Sequence, residues 1–303
     1  MGPEPTLRHR GGALLQPPFG DPAALDADPV EPGEHGPPAF VEPGQLEFQL
    51  QSVVEHTYEM EGAQFLGFST ILAWGPNTTV LHYGSNDQQI QETGLVLIDT
   101  GAAWEHYSAD VTRTIPVSGT FSAREKELYE LVLRTSNAAI RQVKPGADYY
   151  NDVHMTAKKV LDDAGYGQYF IHGTGHFLGL DVHDAGNLRV DGSPLALEPG
   201  MTFTIEPGLY VAPDRQGVEF TKLAVDPIER LERRLLLGAA EAGRLEAEEA
   251  EGAETITFEV PEAFRGIGVR IEDDVLITSD GRIVLSEGIP RSADAIEAWV
   301  SGR

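Results

Sequence analysis

Acidic side chains lie at the ends of, or within, apolar segments of this chain that are predicted to be β-strands. Asp99 and Glu206 each follow directly after an apolar run, and Glu272 lies within an alternating one. A carboxylate that points into a protein core is costly unless a metal, a cation or a proton accompanies it. We therefore expect the strands to deliver these acids to a site that supplies such a partner.

A fourth carboxylate belongs to a predicted hairpin. The strand that ends at Asp99 is followed by a turn near Ala103–His106 and by a second strand around Ala109–Thr114. If the two strands pair about this turn, Asp99 and Asp110 lie close together across the ladder. Two adjacent carboxylates repel each other unless one is protonated. A bound cation removes that conflict.

Three histidines, His172, His176 and His183, lie close together in a glycine-rich segment. The glycines between the first two disfavour a helix, since each costs about 1 kcal/mol relative to Ala. The H-E-x-x-H motif of helical zinc sites is also missing. A glycine-rich strand or loop is predicted instead, because it allows the backbone to approach a ligand closely. Three histidines with a purely structural role are the alternative.

Five of these side chains suit a metal centre, and they are Asp99, Asp110, His176, Glu206 and Glu272. Two divalent cations would neutralise four carboxylates, and a single imidazole keeps the site rich in oxygen. Such a site suits Mn²⁺ best, with Zn²⁺, Co²⁺ and Fe²⁺ as alternatives. Two ions of this kind activate water against an amide or a phosphate. The pattern indicates a metallohydrolase with two ions per chain.

Composition excludes some functions. The formal net charge of -26 argues against binding to nucleic acid or to an anionic membrane through bulk electrostatics. The chain has no apolar run long enough to span a bilayer, and its N-terminus lacks the order of a secretory signal. Cysteine is absent, which is compatible with a reducing compartment. We expect a cytoplasmic protein with an acidic surface.

The chain divides into a tail and one domain. Residues 1–45 hold 10 of the 20 prolines and are predicted to be extended or disordered. The domain is predicted over residues 46–303, with a charged insertion at about 226–258. Its Glu229–Glu254 part is typical of a solvated helix. This insertion is either plain surface or a rim that restricts access to the site.

Three helices are predicted in the first half of the domain. The first is predicted from about Leu46 to Met60. Two strands are predicted after it, near Gly67–Ala73 and Val80–Tyr83. The second helix opens with a capping box at Ser122–Glu125, and Asp148 caps the third. The last two helices carry no chemical motif, so we interpret them as scaffold.

Four local strings resemble the pita-bread metallopeptidases, which include aminopeptidase P, prolidase and methionine aminopeptidase. They are IDTGAAWEHYSADVTRT, HGTGHFLGLDVHD, FTIEPGLY and GVRIEDDV. The resemblance covers about Leu46 to Val300 apart from the charged insertion, and VHD at Val182–Asp184 is most similar to bacterial-type aminopeptidase P. It implies an α+β pita-bread fold, with a curved antiparallel sheet flanked by helices. The N-terminal domain that such relatives usually carry is not recognisable, so we expect a chain without it.

The same resemblance implies a function. It indicates an aminopeptidase that releases the N-terminal residue from peptides with proline in the second position, by attack of a metal-bridging hydroxide. Prolidase, which prefers Xaa-Pro dipeptides, shares most of the strings and is the alternative enzyme. A catalytically idle pita-bread module that binds peptides or proteins is the alternative from another class. Whether the chain forms a homo-oligomer stays open.

The resemblance also assigns metal ligands residue by residue. Asp110 and Glu272 match the two carboxylates that bridge the metal ions. Asp99 matches a ligand of one ion, whereas His176 and Glu206 match ligands of the other. Glu206 further matches the group that accepts a proton from metal-bound water.

Four more residues match catalytic positions of the family. His82, His172 and His183 match histidines that hold the substrate or stabilise the tetrahedral intermediate. Arg270 matches an arginine that braces the carboxylates. The implied catalytic set is therefore these four residues together with Glu206.

Overall fold

The structure, a computed structural model, describes residues 41–186, 188–190, 193–215, 217–221, 239–250 and 255–302. The prediction for the first 45 residues falls almost entirely outside them. The α-helices are α1 (Glu47–Met60), α2 (Ala123–Gln142), α3 (Met155–Asp163), α4 (Ala239–Ala250) and α5 (Ala293–Val300). No helix among the described residues has the length and apolar character needed to cross a membrane.

The strands pair antiparallel throughout the described residues, so the predicted α+β class is confirmed. They are β1 (Phe65–Leu66), β2 (Ile71–Trp74), β3 (Leu95–Thr100), β4 (Ala102–Trp104), β5 (Tyr107–Ser108), β6 (Val111–Pro116), β7 (Arg189–Val190), β8 (Ser193–Pro194), β9 (Thr202–Ile205), β10 (Gly208–Val211), β11 (Gly217–Thr221), β12 (Thr255–Glu259), β13 (Ile267–Arg270), β14 (Asp273–Ile277) and β15 (Arg282–Val284). The three-stranded sheets have the orders β2-β3-β6, β15-β14-β9 and β1-β4-β5, and the remaining strands form the ribbons β10-β13, β11-β12 and β7-β8.

The predicted hairpin is present, with a smaller hairpin inserted at its tip. In the β3-β6 ladder Asp99 lies opposite Thr112, so Asp110 comes just before β6 begins. Between them, β4 and β5 are joined by Glu105 and His106, whose φ angles are 49° and 68°. Positive φ at both central residues is the conformation that favours a tight two-residue hairpin.

The first two predicted helices are confirmed to within a residue at their starts, whereas the third begins with a π-helical turn at Tyr149 and becomes α-helical at Met155. The first was expected over Leu46–Met60 and occupies α1. At the start of α2 the Ser122 hydroxyl accepts from the Glu125 N–H, and the Glu125 carboxylate accepts from the Ser122 N–H at 2.7 Å. The Asp148 carboxylate caps a π-helical turn that leads into α3. These caps satisfy N–H groups that have no partner inside the helix.

One predicted strand is wrong and another is displaced. The strand expected near Gly67–Ala73 is observed as β2, but Val80–Tyr83 is a loop. It follows a 3₁₀ helix, Gly75–Thr79, whose first residue has a φ of 58° that ends β2. The Thr78 hydroxyl accepts from the Gly268 N–H at 2.9 Å. This tertiary contact fixes the turn, and it overrides the strand preference of the apolar residues that follow.

Two apolar clusters hold the sheets in place. One joins α1, α2 and α5 to the β2-β3-β6 sheet, and it includes the fully buried residues Leu50, Leu72, Val96, Leu128 and Ile296. The other joins the end of α2 to β9 and β14. Each fully buried aliphatic side chain contributes roughly 1.5–3 kcal/mol. The strands that carry the acidic residues are therefore anchored from behind.

The charged insertion connects the two strands of a β-ribbon. Strands β11 and β12 pair over five residues each, and α4 lies between them in sequence. The predicted helix is thus confirmed for its central part. Residues 222–238 and 251–254, which make up the rest of the stretch between the two strands, lie outside the described residues.

Candidate metal centre

One pocket of about 350 Å³ gathers every residue that the sequence predicts for the site. Its lining includes His82, Asp99, Asp110, His172, His176, His183, Glu206, Arg270 and Glu272. Apolar side chains complete the wall, among them Phe68 and Ile71. Residues from segments far apart in sequence therefore meet around one space.

Three of the carboxylates, Asp99, Asp110 and Glu272, are positioned by the β3-β6 hairpin and by the connection between β13 and β14. Asp99 lies near the end of β3, and Glu272 lies between β13 and β14. The Glu272 N–H donates to the Thr112 carbonyl at 3.1 Å, and the Thr112 hydroxyl donates to the Glu272 carboxylate at 2.6 Å. The Asp110 N–H donates to the Asp274 carboxylate at 3.1 Å. These bonds join the β3-β6 hairpin to the start of β14.

The glycine-rich segment lies against β9 as an extended strand-like partner. The Glu206 N–H donates to the Thr174 carbonyl at 2.7 Å, and the Thr204 N–H donates to the His176 carbonyl at 2.9 Å. A Cβ on Gly175 would lie 1.8 Å from the Thr204 carbonyl oxygen. The pairing therefore requires glycine there, and it sets His176 beside Glu206. The predicted strand or loop is confirmed.

Three side chains form a compact potential ligand group. Asp110, His176 and Glu272 each offer one ligand atom, and these atoms lie within 4.8 Å of one another. His176 Nε2 is 3.3 Å from Asp110 Oδ2 and 3.7 Å from Glu206 Oε1. The Oδ1 atoms of Asp99 and Asp110 are buried and have no hydrogen-bond partner within the described part of the chain. Unpartnered buried carboxylate oxygens of this kind fit a divalent cation.

Three of the carboxylates, Glu206, Asp110 and Glu272, bind protons more tightly than an exposed carboxylate. Burial raises the pKa of Glu206 to about 7, although Arg270 and His176 oppose the increase. Burial also raises the pKa of Asp110 to about 6, and Asp99 adds to this. For Glu272 burial and then Asp110 raise the pKa well above its ordinary value. Negative charge on these buried carboxylates is therefore disfavoured, and a divalent cation would stabilise it.

The histidines differ in their protonation. Burial opposes a charge on His176, but hydrogen bonds to Asp110 and to the Phe177 carbonyl, together with the nearby charges of Glu206 and Asp110, outweigh it and raise the pKa to about 9. Burial lowers the pKa of His172 to about 3, and Arg270 lowers it further. Burial and then His176 lower the pKa of His183, whose ring centroid is 4.2 Å from that of His176. Neutral His172 and His183 are suited to hydrogen bonding.

A chain of hydrogen bonds connects Asp99 to His172. Arg270 donates to Asp99 Oδ2 at 2.5 Å and to the Tyr210 hydroxyl at 3.0 Å. The guanidinium has no acceptor, so the hydroxyl proton of Tyr210 is directed to His172 Nε2, which lies 2.9 Å away. Arg270 also donates to the Thr112 hydroxyl at 3.1 Å. Arg270 therefore braces the carboxylates, and Tyr210 orients the imidazole.

Tyr210 and Thr112 also contact the candidate ligands or their partners, although no role was predicted for either from the sequence. Strand periodicity holds a signal for Thr112, which lies two residues after Asp110, because residues two apart lie on the same face. Tyr210 lies on β10, beyond the break that contains Glu206, so no such periodicity relates it to the candidate ligands. Its contacts with Arg270 and His172 depend on the fold.

A buried ion-pair network supports the site from behind. The Arg113 guanidinium donates to the Glu272 carbonyl at 2.5 Å and to Asp273 Oδ1 at 2.8 Å. Arg291 Nε lies 2.7 Å from Asp273 Oδ2, and the Ser286 hydroxyl donates to Oδ1 at 2.6 Å. Breaking such a network by removing one charge leaves the other charges buried without compensation.

The fold and the site together define a class of metalloprotein, one with an oxygen-rich metal centre set among antiparallel strands. The model of metallopeptidase family M24 matches residues 35–279. The chain belongs to this family.

Relatives agree with this assignment. The chain is 31% identical to Xaa-Pro aminopeptidase of Escherichia coli (strain K12), over 84% of this chain and 52% of that protein. It is 33% identical to Xaa-Pro dipeptidase of Homo sapiens, over 86% of this chain and 55% of that one. The structure of Pseudomonas aeruginosa aminopeptidase PepP has a TM-score of 0.70 and 33% identity, over 87% of this chain and 54% of that one. The predicted pita-bread fold is confirmed. The chain spans about half the length of the curated relatives it matches.

Proposed function

We propose that this chain is a metal-dependent aminopeptidase that releases the N-terminal residue from peptides with proline in the second position. One observation carries the proposal: the predicted metal ligands and the three predicted histidines line a single pocket. The similarity to named Xaa-Pro aminopeptidases supports the substrate class. The fold alone would not support a particular substrate class, because one fold serves many functions.

The proposed metal ligands are the five acid and imidazole residues of the pocket. Asp110, His176 and Glu272, whose ligand atoms lie within 4.8 Å of one another, would hold the ions together with Asp99 and Glu206. When bound, two divalent ions supply a Lewis acid and a nucleophilic water at neutral pH. We propose Mn²⁺, because the ligands are mostly carboxylate oxygens.

The remaining roles belong to side chains of the pocket. Glu206, whose Oε1 lies 3.7 Å from His176 Nε2 in the pocket, is proposed to accept and return a proton during hydrolysis. His82, His172 and His183 are proposed to hydrogen-bond the peptide or the charge that develops on its carbonyl oxygen. Arg270 is proposed to keep Asp99 in place through its 2.5 Å contact.

Hydrolysis of two peptides tests the function. An Xaa-Pro-Xaa tripeptide and an Xaa-Pro dipeptide are assayed with added Mn²⁺ and with chelator. Glu206→Ala and the matched control Glu198→Ala, which changes an exposed glutamate, run alongside. We expect metal-dependent cleavage of the tripeptide that is lost only in Glu206→Ala. Failure of a folded, metal-loaded protein to cleave either peptide would overturn the proposal in favour of a peptide-binding module.

Prolidase is the second candidate function. The similarity to the human Xaa-Pro dipeptidase, at 33% identity, favours it specifically. Cleavage of the dipeptide alone would move the assignment to this activity.

Finer properties are also part of the proposal. The absence of cysteine supports a cytoplasmic location. The net charge of -26 supports the proposal that the protein binds neither nucleic acid nor anionic membranes. Cell fractionation tests the location, metal analysis of protein purified without added metal tests the ion, and size-exclusion chromatography tests for a homo-oligomer.

A further inference from the structure

Glu47 is a fully buried carboxylate at the first position of α1, far from the ligand set in sequence. Oε1 accepts from the Trp74 N–H at 2.8 Å and from the Asn77 side-chain amide at 3.1 Å. Oε2 accepts from the Tyr83 hydroxyl at 2.8 Å and from the Gln88 N–H at 3.1 Å. Each oxygen therefore has two donors, and all four are neutral groups.

The four donors lie on the two sides of one loop. Trp74 and Asn77 precede His82, whereas Tyr83 and Gln88 follow it. One carboxylate oxygen holds the entry of the loop, and the other holds its exit. His82 itself is exposed and lines the pocket, so its position depends on how the backbone around it is held.

Further contacts show that the exit side is attached to α1. The Glu47 N–H donates to the Gln88 carbonyl at 3.0 Å, and the Phe48 N–H donates to the Asn86 carbonyl at 3.0 Å. The Tyr83 ring packs in a small buried cluster with Ile71. The carboxylate of Glu47 adds hydrogen bonds to both sides and so joins this exit side to the entry side.

We propose that Glu47 is a positioning residue that holds the His82 loop against the pocket, so that His82 reaches the bound peptide. The expected effect of Glu47 on catalysis rests on the proposed peptidase function, whereas its effect on the position of the His82 loop does not. The alternative is that Glu47 only stabilises the start of α1, where a negative charge interacts favourably with the helix dipole. The two explanations differ in whether the effect of Glu47 depends on His82.

Glu47→Gln is the informative substitution because it keeps the size of the side chain. One carboxylate oxygen becomes an NH₂ group that faces two donors, so either the entry or the exit of the loop loses its acceptor. Glu59→Gln is the matched control, since it makes the same chemical change on an exposed residue of the same helix. Metal content is measured for each variant to show that the ligand set is intact.

A double-mutant cycle separates the two explanations. We expect His82→Ala to lower kcat/KM by about 10²-fold, and Glu47→Gln to lower it by about tenfold. In the His82→Ala background, Glu47→Gln should change kcat/KM by less than about twofold, because the group through which it acts is missing. An equal loss in both backgrounds, or no loss in either, would overturn the positioning role.

Hydrogen exchange provides a readout that needs no activity. Glu47→Gln should speed backbone amide exchange in residues 80–88 and leave β3 and β6 unchanged, whereas Glu59→Gln should change neither. Tyr83→Phe removes a single hydrogen-bond donor to the Glu47 carboxylate, and it replaces Glu47→Gln as the test variant if that protein does not fold. It should speed exchange at the exit of the loop only. Unchanged exchange would refute the proposal, whereas a wild-type protein that cleaves neither peptide would refute the proposed function alone.

Discussion

The metal-free protein should become less stable as pH rises from 5.5 to 8. Its candidate ligands are carboxylates buried together, so removal of their protons leaves uncompensated negative charge in the site. Burial raises the pKa of Glu206 to about 7, of Asp274 to about 7 and of Asp110 to about 6. A carboxyl whose pKa is raised by folding contributes stability below its unfolded pKa, and this stability is lost as pH rises through the folded pKa.

The magnitude follows from the difference between the folded and unfolded pKa. For Glu206, with an ordinary value of 4.5 and about 7 in the folded protein, the loss between pH 5.5 and 8 is about 2 kcal/mol. His172 acts in the opposite direction because its pKa is lowered to about 3. Its contribution is regained as pH rises through the unfolded value and amounts to about 1.4 kcal/mol over the same range. Asp274 and His176 each add about 2 kcal/mol to the loss and Asp110 adds about 1 kcal/mol, so the net loss is about 5 kcal/mol.

Urea unfolding of chelator-treated protein at several pH values measures this loss. Glu206→Gln is the matched variant, and its metal-free form should show a smaller decrease with pH. Saturating Mn²⁺ should reverse the trend, since a metal ion binds the deprotonated ligands. Metal-free stability that is constant or increases between pH 5.5 and 8 would refute the picture of a charged, uncompensated cluster.

Three further predictions concern the packing around the site. Gly175→Ala should lower both stability and metal content, because the new Cβ would lie 1.8 Å from a carbonyl oxygen. Gly173→Ala is the control and should be tolerated, because the nearest atom to its Cβ would be 3.8 Å away. Metal analysis and thermal unfolding compare the two variants. Tyr210→Phe should lower kcat/KM by about tenfold with unchanged metal content, since His172 loses the hydroxyl donor at 2.9 Å, which corresponds to about 1–1.5 kcal/mol. Asp273→Asn should destabilise the protein by about 3–5 kcal/mol in urea unfolding, because it leaves two arginines with a neutral partner.

Local patterns allowed the candidate site to be predicted. Asp99 and Glu206 follow apolar runs, and a charged side chain in that position needs a partner wherever the strands lead. The strings around them, together with their order, matched a family whose fold the solved structures confirm. The wrong strand at Val80–Tyr83 shows the limit of this approach. Its apolar residues fit a strand, but a hydrogen bond from Gly268, remote in sequence, fixes the preceding turn instead.

Glu47 shows why the supporting contacts could not be predicted in the same way. An acid in the first turn of a helix is ordinary and is usually explained by the helix dipole. Its four partners lie from 27 to 41 residues further along the chain, and no local pattern relates them. The residues that bear the chemistry are constrained by what they are, and their types can be seen in the sequence. The residues that position them are constrained by where they meet, so they become visible only once the chain is folded.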